Sequence, residues 1–197
     1  MPRAPGQIDE SKTEALLDAA SALISEQGAN VSMEAIARRA GVSKQTLYNR
    51  FPSRVEIARA LAARRADALT QTLKSGDDPE TVLVAYATGL LEKILLDEST
   101  TALRNVALIA PQAPGLAAAV YEAGPAEGLR RLSEWLAEQT RAGRLNTPDP
   151  DAAAEMLAGM ILGHGHLRAV LGIPRPDLDV PTRAREAARR FLRAFAV

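Results

Sequence analysis

A glycine at position 41, set between two short runs of helical pattern, limits what this chain can become more than any other residue. The stretch from Ser32 to Arg54 reads SMEAIARRAGVSKQTLYNRFPSR. Ser32 is placed to cap a first helix whose buried side is Ile36, Ala37 and Ala40. Gly41 can take the left-handed backbone conformation that ends a helix without steric cost, and Val42 is the apolar residue that pins the turn. Ser43 can cap a second helix with Leu47 and Phe51 on its apolar side, and Pro52 prevents simple continuation. Two short helices joined by a tight glycine turn are the layout of a helix-turn-helix, whose second helix enters the major groove of DNA.

The second helix has its own chemical logic. At about 100° per residue, Lys44, Gln45, Tyr48 and Asn49 share one face. A lysine can donate to guanine O6 and N7, and a glutamine can pair bidentately with adenine, which makes Lys44 and Gln45 the candidate base readers. Thr46 and Arg50 flank that face on the side of the phosphates. The helix start at Ser43 adds backbone N–H groups that favour a phosphate. Charge agrees: from Arg38 to Arg65 there are eight basic residues against one acid, Glu56, a net +7 in a chain that is neutral overall. Phosphate neutralisation supplies most sequence-independent affinity for DNA. The alternative, a helical hairpin buried in a core with solvated cations outside, leaves that concentration of charge unexplained.

GVSKQTLYNRF followed by Pro52, Ser53 and Arg54 resembles the signature of the TetR/AcrR family of transcriptional regulators, over about residues 11–61. The resemblance implies a homodimer with an N-terminal three-helix DNA-binding domain and a C-terminal helical domain that binds a small effector. It implies that Lys44 and Gln45 read bases, and that Ser32, Ser43, Thr46, Tyr48, Asn49, Arg50 and Arg54 touch the DNA backbone. Three positions depart from the common pattern. Asn49 stands where many members carry Tyr or Arg, Arg50 where they carry His, and Arg54 where they carry Lys. The last two keep positive or donor character, so phosphate binding survives them.

Apolar residues make up 47% of the 197, enough for a buried core, whereas aromatics are only 4%. Ala, Leu and Arg dominate, which favours helix over sheet. The absence of cysteine excludes disulfides, thiolate catalysis and Cys-based zinc sites. The N-terminal MPRAPGQIDESK lacks the apolar core of a signal peptide, and no run approaches the ~20 apolar residues of a membrane span. The expectation is a soluble cytoplasmic protein. Residues 1–75 carry a net +3 and residues 76–197 a net −3, as suits a DNA-contacting front joined to a part that stays off the DNA.

The fold expected is all-α, with about nine or ten helices. Residues 1–52 form the helix-turn-helix domain, beginning with a loose arm over residues 1–8; residues 53–74 form a connecting helix; residues 75–197 form the effector-binding and dimerisation domain. The first helix spans about residues 9–27, with Gly28 as its stop. The connecting helix buries Val55, Ala58, Leu61, Ala62 and Leu69, and joins the DNA-proximal end to the second domain as a lever. Beyond it, helices are expected at about 79–97, 101–110, 114–123, 126–142, 151–171 and 182–195, with Pro79, Pro114, Pro125 and Pro150 as openers and Gly143 and Gly172 as stops. Pro174, Pro176 and Pro181 mark a rigid loop.

Three later segments, ALRNVALIAP, YEAGPAEGLRRLSEWL and AAEMLAGMILGHGHLRAVLG, resemble the AefR-like C-terminal domain over about residues 102–172. By the family resemblance, the helices at 126–142 and 151–171 form the dimer interface. Gly159 and Gly163, four apart, with Ala152 and Leu167 nearby, allow close approach of a partner helix, and Leu129, Leu132 and Leu136 supply a matching stripe; the alternative is that these stripes pack only inside one chain. The candidates for a pocket that takes a small lipophilic or aromatic effector are Tyr86, Leu90, Ile94, Leu103, Ala107, Tyr121, Trp135, Met156, Met160 and His164, with ordinary core as the alternative for each. His164 and His166 lie two apart, so on a helix they point about 200° from each other and cannot share one ion. No metal, cofactor or catalytic residue is expected. The expected function is a ligand-responsive regulator, a repressor released from a palindromic operator, with an activator or effector-independent regulator of the same fold as the alternative. An all-helical enzyme is disfavoured, because no nucleophile and base stand at suggestive spacing.

Overall fold

The structure, a computed structural model, describes residues 10–28, 31–93, 99–173 and 177–197, with the backbone alone for residues 99–103. Every regular element among the described residues is helical. The expected arm, Ile94, Pro174 and Pro176 lie outside the described residues, as does the side chain of Leu103.

Helices α1 (Glu10–Gln27), α2 (Met33–Arg39) and α3 (Lys44–Arg50) close around a first core. Leu16, Ala20 and Leu47 are fully buried there, joined by Leu23, Ile36 and Phe51. Burying a side chain of this size stabilises by about 1.5–3 kcal/mol, which holds two helices too short to persist alone. Helix α4 (Arg54–Thr70) starts at Ser53, whose hydroxyl accepts from the Glu56 N–H. Its Ile57 and Leu61 complete the first core. Ile57 takes the buried place expected of Val55 and Ala58, which are only half-buried. At the far end of α4, Leu69 packs against a second core, and a 3₁₀ turn follows over Gln71–Lys74.

The second core is built from α5 (Pro79–Leu91), α8 (Glu127–Arg141), α9 (Pro150–Leu162) and α11 (Val180–Ala194). Asp78 caps α5 by accepting from the Glu80 and Thr81 N–H groups, and Pro79 sits where its missing N–H leaves no gap. The wide apolar face expected of α5 is buried from Val82 to Leu91, against Leu132, Trp135 and Leu136 of α8, Leu157 and Ile161 of α9 and Phe191 of α11. Helices α6 (Ser99–Ile109), α7 (Pro114–Tyr121) and α10 (Gly165–Leu171) fill in around them.

Two expected elements come out differently. The helix expected over residues 151–171 is divided, because Gly163 adopts φ +50° and ψ −136° and ends α9. Arg183 of α11 donates to the Met160 and Ile161 carbonyls at 2.5 and 3.1 Å, satisfying the groups the break exposes. Nor does Pro125 open a helix. It sits inside a π-helical turn, Glu122–Ala126, that carries α7 directly into α8. The wider turn tolerates a residue with no amide proton, and its Gly124 rests on α4. A Cβ there would lie 3.3 Å from that of Ala62.

Candidate nucleic-acid interface

The turn between α2 and α3 is closed by two backbone bonds. Gly41, at φ +65°, donates to the Arg38 carbonyl at 3.2 Å, and Val42 donates to Ala37 at 3.0 Å. This crossed pair is the Schellman arrangement, and it satisfies the last carbonyls of α2. The Ser32 hydroxyl accepts from the Ala35 N–H and the Ser43 hydroxyl from the Thr46 N–H, fixing the starts of α2 and α3. Ser43 Oγ and Thr46 Oγ1 are 2.8 Å apart. One hydroxyl donates to the other, which leaves one proton of the pair to give to a phosphate.

Leu47 anchors α3 inward, so its opposite side faces solvent. Lys44, Gln45, Tyr48 and Asn49 are all exposed on it, as the 100° spacing predicts. Gln45 Nε2 donates to Asn49 Oδ1 at 2.8 Å, which orders both amides. Arg50 is half-buried and reaches back to α1, donating to Thr13 Oγ1 at 2.6 Å. Lys44 Nζ stands 3.2 Å from Glu34 Oε1 at the start of α2. Its own backbone N–H, and then the Lys44 ammonium, hold the Glu34 carboxyl below the usual range. Arg54 is exposed at the first position of α4.

The net +7 read from residues 38–65 overstates the folded patch. Acids from outside that window fold onto it: Glu26 pairs with Arg39, Glu34 with Lys44, and Glu14 and Asp18 with Arg64. Sequence reasoning missed Glu34 and Thr13 as partners because the α2–α3 turn and the packing on α1 bring them in from distant positions.

Two family models match the chain. That of bacterial regulatory proteins of the tetR family covers residues 16–61, around the helix-turn-helix. That of the AefR-like transcriptional repressor C-terminal domain covers residues 81–197, over half the chain. The chain belongs to the TetR family. A comparison with curated proteins gives no match. Among solved structures, a protein of Mesorhizobium loti MAFF303099 assigned to the TetR family is 25% identical, with a TM-score of 0.79 over 97% of this chain and 100% of that one. The flavonoid-responsive regulator FrrA is 31% identical, with a TM-score of 0.68 over 95% and 98% of the two chains. SmeT, the repressor of the Stenotrophomonas maltophilia multidrug efflux pump SmeDEF, is 26% identical, with a TM-score of 0.60 over 93% and 90%. The matched families are of transcriptional regulators.

In this TetR-family chain the residues expected at a dimer seam separate. Leu132 and Leu136 are fully buried in the chain's own second core, and Leu129, half-buried, packs against that core. The reason is amphipathicity: a leucine stripe is buried by whichever surface comes first, and for Leu132 and Leu136 that surface is α5, α9 and α11 of the same chain. Ala152 is half-buried, while Gly159, Gly163 and Leu167 are exposed. Gly163 is the helix break and not a packing position within a helix.

The expected effector pocket also separates. Tyr86, Leu90 and Trp135 are buried in the second core, where burial pushes the Tyr86 phenol up to about 12. Met156 and Met160 are 56% and 37% exposed on α9, and Ala107, Tyr121 and His164 are exposed as well. The described members of the set thus divide between the buried core and the exposed surface. Their apolar character holds, but α9 turns its methionines outward while α5 and α8 turn their aromatics inward. An open groove of about 490 Å³ lies elsewhere, lined by Glu80, Glu186, Arg189, Leu192, Arg193 and Ala196. His164 stands at the α9–α10 break and His166 inside α10, both exposed. Among the described residues no group of three or more side chains is placed to hold a metal ion, and no helix is long and apolar enough to cross a membrane.

Proposed function

We propose that the chain is a homodimeric, effector-released repressor whose α3 reads an operator in the major groove. The exposure of Lys44, Gln45, Tyr48 and Asn49 on one face of a helix anchored by Leu47 carries this reading. Lys44 and Gln45 read base edges, and Ser32, Ser43, Thr46, Tyr48, Asn49 and Arg54 engage the backbone. Arg50 reaches a phosphate by leaving Thr13, or else stiffens α3 against α1.

The dimer face is the outer side of α9 and α10, where Met156, Gly159, Met160 and Leu167 share exposure and small or apolar character. The repressor role is supported by the AefR-like C-terminal match and by SmeT, itself a repressor. A small aromatic effector is supported by FrrA, a flavonoid-responsive regulator. Such a ligand relieves repression only by binding the DNA-incompetent state more tightly. Helix α4 is the link between effector and DNA. Arg64 ties it to Glu14 and Asp18 of α1, and three residues on, Asp67 is tied to Arg131 of α8.

Selection of duplexes from a random pool by the purified protein tests the reading. An enriched inverted repeat whose binding is weakened, but still measurable, with Lys44→Ala and with Gln45→Ala is the expected result. Enrichment of no sequence, or binding indifferent to both substitutions, contradicts it.

A further inference from the structure

The proposed reading face is not idle in the free protein. Lys44, the first residue of α3, is salt-bridged across the turn to Glu34, with side chains 66% and 47% exposed. Glu34 lies in the first turn of α2, two residues after the Ser32 cap. The carboxylate therefore sits on the surface that the proposed interface presents to DNA.

We propose that Glu34 is an internal competitor for DNA, a carboxylate that occupies the Lys44 ammonium in the free protein and weakens duplex binding. The inference rests on the reading of α3 as the helix that meets the major groove. Two costs follow from the geometry. While the pair stands, the carboxylate takes one of the three ammonium protons and offsets the charge that Lys44 offers a base or a phosphate. The carboxylate also faces a polyanion once DNA is bound, and like charges repel. Because the pair is exposed, it exchanges freely and attenuates binding without forbidding it. Glu34 thereby affects DNA affinity through Lys44 while touching no base itself.

The experiment measures binding of the wild type, Glu34→Gln, Glu34→Asp, Lys44→Ala and the Glu34→Gln/Lys44→Ala double variant to the selected operator and to random duplex, over a salt series. Thermal melts confirm that each variant folds. Glu34→Gln is expected to bind about three- to tenfold tighter at ~0.1 M salt. Its log–log salt slope should steepen by about one counterion. Glu34→Asp keeps the charge and should stay near the wild type. In the Lys44→Ala background the gain from Glu34→Gln should shrink below twofold. Unchanged or weaker binding by Glu34→Gln overturns the proposal, since it makes Glu34 a support for Lys44. An equal gain with and without Lys44 also overturns it, because that reduces Glu34 to distant repulsion. If no variant binds any duplex, the DNA-reading assignment itself falls, and this inference with it.

Discussion

Gly41 shows how one residue sets the angle of a helix. At φ +65°, an alanine at this position carries a Cβ into the region that L-residues avoid, although nothing else lies within 4 Å of it. The cost is therefore conformational and not steric. Gly41→Ala should destabilise by about 1–2 kcal/mol in urea unfolding and weaken DNA binding beyond that, because α3 is re-aimed. Stability equal to the wild type would show that the turn tolerates another conformation. The same scale marks where the sequence was legible. Ser32, Gly41, Ser43 and Leu47 were readable because caps, turns and buried spacing act within a few residues. The partners of Lys44 and Arg50 were not, because Glu34 and Thr13 meet them only once the helices have packed. A charge count along a window has no access to acids that fold onto it.

Among elements, α4 and α8 carry the clearest electrostatic junction. Arg131 of α8 donates to Asp67 and Thr70 of α4 and to Glu127 on its own helix. Arg130, and then Arg131, draw the Glu127 carboxyl from an ordinary 4.5 down to about 2. A carboxyl depressed in the folded state contributes stability above its unfolded value and loses it as pH falls toward the folded one. Wild-type melting temperature should thus fall between pH 4.5 and 2 more steeply than that of Glu127→Gln, as read by circular dichroism. Parallel curves for the two proteins would mean that the junction adds nothing to stability, as many exposed pairs do. Elements were legible where a proline marks a start, as at Pro79 and Pro150. They were not legible at Pro125 and Gly163. A π turn and an arginine reaching over from α11 decided those places, and neither leaves a local signature.

At the scale of the whole molecule, two cores joined by α4 were foreseeable, since apolar faces must be buried somewhere. Which faces stay open was not. The leucines of α8 and the methionines of α9 are alike in hydrophobicity, yet only the methionines remain on the surface. Apolar side chains exposed in number on one side of a fold mark a surface for association. Met160→Glu with Leu167→Glu should convert a dimer to a monomer in sedimentation velocity, with the helical circular dichroism retained. A dimer that survives both charges would place the seam on another face.

The central claim is that Lys44 and Gln45 meet base edges in the major groove from two copies of α3. Methylation interference on the selected operator tests it most directly, because a methyl on guanine N7 blocks the edge a lysine contacts. The account predicts interference at guanines in two half-sites related by a twofold axis, lost at those guanines in a complex formed by Lys44→Ala. Interference confined to the minor groove, or unchanged when Lys44 is removed, would contradict it.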